Sequence, residues 1–351
     1  MKQKKVIVFF SAGIGDTVLL IPLVKQLKSK GFLVTGLFNS KQPCEDVFTE
    51  IDLLDELIVC KNKREQLSYS VKSLFKYNNA FINFFAASRI NFLTAALCSK
   101  QIITNRKIRS VLFKMFSFKT NYIEPESNIH DAQQNINLLD RTVLFSLAGL
   151  QIKLSKKRNN VLQNKFIAVQ LSAANNKQTY KNWPENNWIQ FLGMLNEHYP
   201  QKNFLLLGSK SEIEISERIK KNLNSNVNSL VGETDLKEAM HLLDQSELFI
   251  GLDSGLVHLA AALGKPTFSI WGPSSFSAYG YEKFGPLHKC VSLNLPCAPC
   301  SVWIDPNHTK ALSPELCPDH ACMQQLTPQI VFNKFKECMS LFPENSFRSV
   351  V

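Results

Sequence analysis

The sequence predicts an α/β protein built from two Rossmann-like domains, and three observations predict it. The chain has 351 residues, enough for two domains of roughly 150 residues each. Short apolar runs alternate with amphipathic helical stretches in two successive passes, the pattern of parallel sheets with crossover helices. Between the passes stands a polar, basic stretch at 153–165, KLSKKRNNVLQNK, which reads as a linker. The expected domains are residues 1–160 and 161–351, facing each other across a central cleft.

Taken in order, residues 6–10 (VIVFF) form a buried strand, because an unbroken apolar run suits a strand covered on both faces. A helix is expected over 16–30, stopped by Gly31, which accepts the left-handed backbone of a helix end. Residues 33–38, 57–59 and 80–84 continue the sheet, and 130–147 is expected as one long helix running to Gly149. The second pass opens with a strand at 166–171. A helix starts at Trp183-Pro184, since the first helical turn has no use for the N–H that proline lacks. Strands at 204–207, 248–252 and 267–271 follow, with helices beginning at Glu212, Asp235 and Ser254, and 327–341 forms the last helix. Ligands in open sheets of this kind collect beyond the carboxyl ends of the strands.

Composition narrows the function. With 45% hydrophobic residues and 25 Phe, the chain has apolar surface enough for a packed core, which excludes a disordered protein. No apolar stretch approaches the ~20 residues of a membrane span. The run at 6–10 is too short for a signal-peptide core, so a cytoplasmic location is expected, with any membrane contact made from the surface. The net charge of +11 is one-sided. Residues 1–160 carry 24 Lys and Arg against 12 Asp and Glu, whereas 161–351 carry 16 against 17. Residues 66–123 hold nine basic residues and no acidic one, which suits a phosphate-rich partner. Within them, 106–119 interleaves cations with apolar side chains. That mixture fits an interfacial helix on anionic lipid, and equally a core helix with a solvated basic face.

Three loops that follow strands carry the chemistry. In Ser11-Ala12-Gly13-Ile14-Gly15-Asp16, the glycines let the backbone turn sharply into a helix whose free N–H groups face a ligand. A dinucleotide fingerprint needs a third glycine where Val18 stands, which argues against NAD. Asp16 at that mouth is either a base for a substrate hydroxyl or a helix cap. In the loop from Ser172 to Pro184, Lys181 is either a point charge for an anion or a solvated lysine. The third loop, Asp253-Ser254-Gly255-Leu256-Val257-His258, opens an Ala-rich helix that Gly264 and Pro266 stop. Its first N–H groups suit a phosphate, and Ser254 adds a hydroxyl donor. His258 lies one turn after Ser254 on the same face, as a site residue or a hydrogen-bonded core histidine.

Together Ile-Gly-Asp at 14–16, Lys-x-Trp-Pro at 181–184, the run from Asp253 to Pro266 and Trp-Gly-Pro at 271–273 resemble glycosyltransferase family 9, the ADP-heptose:lipopolysaccharide heptosyltransferases and their relatives. The resemblance extends in order over nearly the whole chain. It implies the GT-B fold, an acceptor-binding N-terminal domain and a C-terminal domain that holds the nucleotide sugar. It further implies Asp16 as catalytic base beside Gly13 and Gly15 on the acceptor side. Lys181 is implied at the donor phosphates, with Ser172, Asp253, Ser254, Gly255 and His258 around the diphosphate. Ser254 stands where the family often has threonine and keeps the hydroxyl. The implied reaction is inverting transfer of a sugar, heptose from ADP-heptose, onto an acidic lipopolysaccharide-type acceptor at the cytoplasmic face of the inner membrane. No cofactor is required, and no acidic pair suits a diphosphate-bridging metal.

Nine cysteines, an odd number, suggest thiols in a reducing compartment. Cys297, Cys300, Cys317 and Cys322 have the spacing C-x2-C-x16-C-x4-C, which would permit a structural zinc. Two other readings stay open: a GT-B-like sugar-nucleotide epimerase, which would need no acceptor, and a basic nucleic-acid-binding module. The second has no recognised RNA or DNA motif behind it, so no nucleic-acid partner is expected.

Overall fold

The computed structural model describes residues 3–11, 13–39, 43–107, 115–155, 165–173, 179–223, 226–300 and 316–339. The chain divides into two compact units, Met1–Leu150 and Gln151–Val351. Among the described residues no helix is long and apolar enough to cross a membrane.

In the first unit β1 (Lys5–Phe9) leads through a short loop to α1 (Ile14–Val18) and α2 (Ile21–Ser29). Then come β2 (Leu33–Asn39), α3 (Glu45–Ile51), β3 (Glu56–Cys60), α4 (Lys63–Lys72), β4 (Tyr77–Ile82), α5 (Arg89–Cys98), β5 (Ser99–Thr104) and β6 (Thr120–Tyr122). Two short helices, α6 (Asp131–Asn137) and α7 (Leu147–Leu150), complete it. The six strands run parallel in the order β3-β2-β1-β4-β5-β6. β1 lies in the middle, paired with both β2 and β4, and Val6 to Phe9 are wholly buried.

Two helical expectations fail here for identifiable reasons. The helix expected over 16–30 is split into α1 and α2, because Pro22 cannot donate the hydrogen bond that would carry the helix past Val18. Its end is as expected: Gly31 has φ +80°, and the Gly31 and Phe32 N–H groups bond back to Lys28 and Leu27. The long helix expected over 130–147 ends at Asn137, where side chains offer the backbone other partners. Asp140 Oδ1 accepts from the Thr142 N–H and hydroxyl, while Gln133 bonds the Val143 carbonyl and the Phe145 N–H. Strands β5 and β6 were not expected, and β4 begins three residues earlier than its apolar run at 80–84 suggests.

The second unit repeats the architecture. Its elements are β7 (Phe166–Val169), α8 (Glu185–His198), β8 (Asn203–Leu206), α9 (Ile213–Lys221), β9 (Val227–Ser229), α10 (Leu236–Gln245) and β10 (Leu248–Leu252). They continue with α11 (Gly255–Ala262), β11 (Thr267–Ile270), α12 (Phe276–Tyr279), β12 (His288–Val291), α13 (Ala321–Gln324) and α14 (Pro328–Met339). The parallel order is β12-β11-β10-β7-β8-β9. Helix starts are chemically marked: Asp235 and Glu238 cap each other's N–H groups at the head of α10. Gly264, with φ +73°, closes α11 by the same pair of backward hydrogen bonds seen at Gly31. Trp183, Trp188 and Phe191 pack against Phe268 and Phe335 beneath the sheet. The two Rossmann-like units constitute the GT-B fold expected from the sequence.

Candidate active site

A parallel sheet offers a binding crevice where its strand order reverses, because crossovers leave in opposite directions there. In the second unit the reversal falls between β7 and β10, and the predicted donor residues stand at the carboxyl ends of those strands. Ser254 is the N-cap residue of α11, yet its hydroxyl does not cap the helix; it donates to the Gln170 side-chain carbonyl, tying the ends of β10 and β7 together. The head of α11, from Gly255, therefore takes no side-chain cap, and it carries the positive end of the helix dipole. Lys181 Nζ donates to Asp253 Oδ2 at 2.7 Å, with the two side chains only 13% and 11% exposed. Burial pushes the Asp253 carboxyl up, but the Lys181 charge and hydrogen bond prevail and hold it below the ordinary value.

His258, buried on α11, bonds through Nδ1 to the Tyr281 hydroxyl at 2.7 Å. Burial lowers its pKa to about 4, so at neutral pH it is an uncharged hydrogen-bonding group and not a cation. Ser172 Oγ and the Ala173 N–H both donate to Asn182 Oδ1, at 3.2 and 2.9 Å, fastening the end of β7 to the turn that carries Lys181. Of the loop between them, residues 174–178 lie outside the described residues.

In the first unit the strand order reverses between β1 and β4, and the segment from Gly13, the N-cap of α1, to Asp16 in its first turn follows β1. Ser11 Oγ donates to Asp16 Oδ2 at 2.9 Å and accepts from the Gly13 N–H at 3.3 Å. A Cβ on Gly13 would lie 2.5 Å from Asp16 Oδ2, so only glycine leaves the carboxylate its place. Gly15 lies in the first turn of α1. A second carboxyl, Asp131 on α6, is buried close behind. Burial, and after it the negative charge of Asp16, raise its pKa to about 8, while the Asn135 amide opposes the rise. Asn135 Nδ2 reaches Asp131 Oδ2 at 3.4 Å and the Leu19 carbonyl at the end of α1 at 3.1 Å, and its Oδ1 accepts from Asn83, just past β4.

The first unit's switch point thus carries a glycine-cleared carboxylate, and the second unit's an uncapped helix head near a lysine. The family model of glycosyltransferase family 9 (heptosyltransferase) matches residues 99–310. The chain belongs to glycosyltransferase family 9. This family 9 glycosyltransferase is 24% identical over 349 residues to lipooligosaccharide heptosyltransferase 2 of Campylobacter jejuni, covering 95% of the chain and 98% of the relative. It is 36% identical over 100 residues to lipopolysaccharide heptosyltransferase 2 of Salmonella typhimurium, a stretch that spans 27% of the chain and only 28% of that relative. The solved structure of E. coli ADP-heptose lps heptosyltransferase II superposes with a TM-score of 0.69 at 17% identity, over 96% of this chain and 98% of that one.

Several residues of the enzyme's two switch points escaped the sequence reading. Gln170, just past β7, and Tyr281, in the segment after α12, hold Ser254 and His258, and no local pattern marks them. Asp131 reads in sequence as an acid in the first turn of a helix, the place the helix dipole favours, so its burial beside a second carboxyl is invisible there. Glu212 stood in the sequence only as a helix start. Its carboxylate is buried against Gly208, accepts from the Ser209 N–H and hydroxyl at 2.7 and 2.9 Å, and meets the Ser172 backbone.

For the zinc that the cysteine spacing would permit, among the described residues no group of three or more His, Cys, Asp or Glu side chains is found that could hold a metal ion. Cys322 is buried while Cys297 is exposed, and Cys317 Sγ turns to Asp319 Oδ1 at 3.6 Å. Burial first, and then the neighbouring Cys300, Cys317 and Cys297, raise the Cys322 thiol to about 11. No disulfide joins any of the nine cysteines, all of which are described.

Proposed function

We propose that the protein transfers heptose from ADP-heptose, with inversion, to a hydroxyl of the lipopolysaccharide inner core, the first unit taking the acceptor and the second the donor. The observation that carries this reading is the Lys181–Asp253 pair beside the uncapped head of α11, answered in the other unit by a carboxylate for which Gly13 makes room. Asp16 accepts the proton of the acceptor hydroxyl as its oxygen attacks the anomeric carbon. The bond from that carbon to the diphosphate breaks on the opposite face, and ADP departs with the bonding electrons. Ser11 orients the base through its hydrogen bond to Oδ2.

Negative charge grows on the departing diphosphate. The N–H groups at the head of α11 and the Lys181 ammonium meet it, as preorganised donors do for charge that develops in a transition state. Asp253 holds the lysine in place. His258, uncharged, contributes a hydrogen bond from the imidazole that Tyr281 orients. Family membership and the heptosyltransferase relatives support the sugar and the acceptor class. The acceptor's lipid anchor brings the enzyme to the cytoplasmic face of the inner membrane.

The test is Asp16→Asn, which keeps the shape of the carboxylate and removes its basicity. Transfer to a lipopolysaccharide-core acceptor falls by at least about a thousandfold while calorimetric ADP affinity stays within about twofold. Turnover retained within tenfold overturns the assignment of the base.

A further inference from the structure

Helix α4 turns polar side chains inward and leaves apolar ones exposed. Its inward residues are polar: Gln66 and Ser70 are buried and bond to Asn91 and Thr94 of α5, and Ser73 just beyond the helix is buried too. Among its exposed residues, otherwise charged or polar, Leu67 and Val71 are apolar, 42% and 58% exposed, and just past the helix Leu74 and Phe75 follow at 51% and 62%. The patch continues onto the neighbouring segment, where Lys119 Nζ sits 5.7 Å from the centre of the Phe75 ring and Phe118 is 83% exposed. Apolar side chains that leave a core available to them and point outward mark a surface with a partner.

The charge around the patch says which partner. The exposed Lys63, Arg64 and Lys72 stand on α4 itself, and the patch lies in the acid-free stretch 66–123. The carboxylates of β3 and α4 are engaged: Glu56 with Lys76, and Glu65 with the Lys61 N–H. An apolar face beside cations complements an anionic lipid surface, where side chains enter the acyl boundary and lysines meet the headgroups. We propose that the Leu67–Val71–Leu74–Phe75 face, with Phe118 and the lysines of α4, docks the enzyme on anionic phospholipid. This deepens the proposed function, in which the acceptor is lipid-anchored. The interfacial segment suggested by the sequence, 106–119, contributes only its ends, since 108–114 lie outside the described residues.

The experiment is sedimentation with vesicles of phosphatidylglycerol and phosphatidylethanolamine, against phosphatidylcholine alone, without donor or acceptor. The parent protein partitions onto the anionic vesicles at least about tenfold better, and less so as salt rises. Val71→Glu with Phe75→Glu lowers that partition by at least about tenfold. Lys72→Gln lowers it about fivefold. All three positions are exposed, and an unchanged melting temperature confirms the fold. Transfer to a water-soluble, delipidated acceptor is unaltered in the variants. Equal binding to both kinds of vesicle, or full binding by the doubly substituted variant, overturns the proposal. So does concentration-dependent self-association that the double variant abolishes without any vesicle binding in the parent, since the face then joins copies of this chain. A parent that docks but transfers no heptose refutes the proposed reaction and leaves the docking surface standing.

Discussion

Replacing Lys181 by methionine keeps most of the side-chain volume and removes the charge, which leaves Asp253 ionised in a site only 11% exposed. At 2.7 Å and an effective dielectric of about 20, the lost Coulomb attraction is about 6 kcal/mol. Part of it is returned because the lysine no longer has to be desolvated, so the single substitution should cost about 3–5 kcal/mol, the usual result of orphaning a buried charge. Asp253→Asn in the same background removes the orphan. The double variant should therefore be more stable than Lys181→Met alone, with a coupling energy of about 2–3 kcal/mol. The assay is urea unfolding at pH 7 followed by tryptophan fluorescence, which reports the second unit alone because all four tryptophans lie beyond residue 180. The paired carboxylate also has a pH signature. Its folded pKa is depressed, so its contribution is full above the ordinary carboxylate range and lost as pH falls through the folded value. In ADP titrations the double variant should stay weak although its stability recovers, because the charge proposed to meet the diphosphate is gone. A cost below about 1 kcal/mol with no coupling would refute the account of the pair.

Gly13→Ala places a methyl group 2.5 Å from Asp16 Oδ2 and pushes the carboxylate aside, at a φ of −95° that alanine adopts without strain, so turnover should fall about a hundredfold with little change in melting temperature. Asp131, with its pKa raised to about 8, keeps its proton in the folded chain from about pH 4 up to that value. Stability contributed there falls by about 1.4 kcal/mol per pH unit as pH rises, and Asp131→Asn should remove that slope from urea unfolding measured between pH 5 and 8. His258 shifts the opposite way, to about 4, and is bound uncharged. Its contribution is full above the ordinary histidine value of 6.5 and is lost as pH falls toward 4, at about 1.4 kcal/mol per unit, which His258→Gln should abolish.

Much of this molecule was decided locally and could be read from the chain. The buried strands at β1, β7 and β10 are unbroken apolar runs, Gly31 and Gly264 end their helices because they accept a left-handed backbone, and Asp235 marks a helix start by its capping partner three residues on. The order of these signals, repeated twice, fixed the fold class, and the loops after β1 and β10 announced Asp16, Asp253, Ser254 and His258. Tertiary structure decided what each of those groups is able to do. Lys181 is bound to Asp253 from 72 residues away, Ser254 gives its hydroxyl to Gln170 across 84, and Tyr281 and burial set the charge of His258. The same is true of Asp131 beside Asp16, and of α4, whose polar inward face follows from what α5 presents to it. Proton affinity and hydrogen-bond direction depend on dielectric surroundings and on neighbours brought in by strand order, and neither is a property of residues adjacent in the chain.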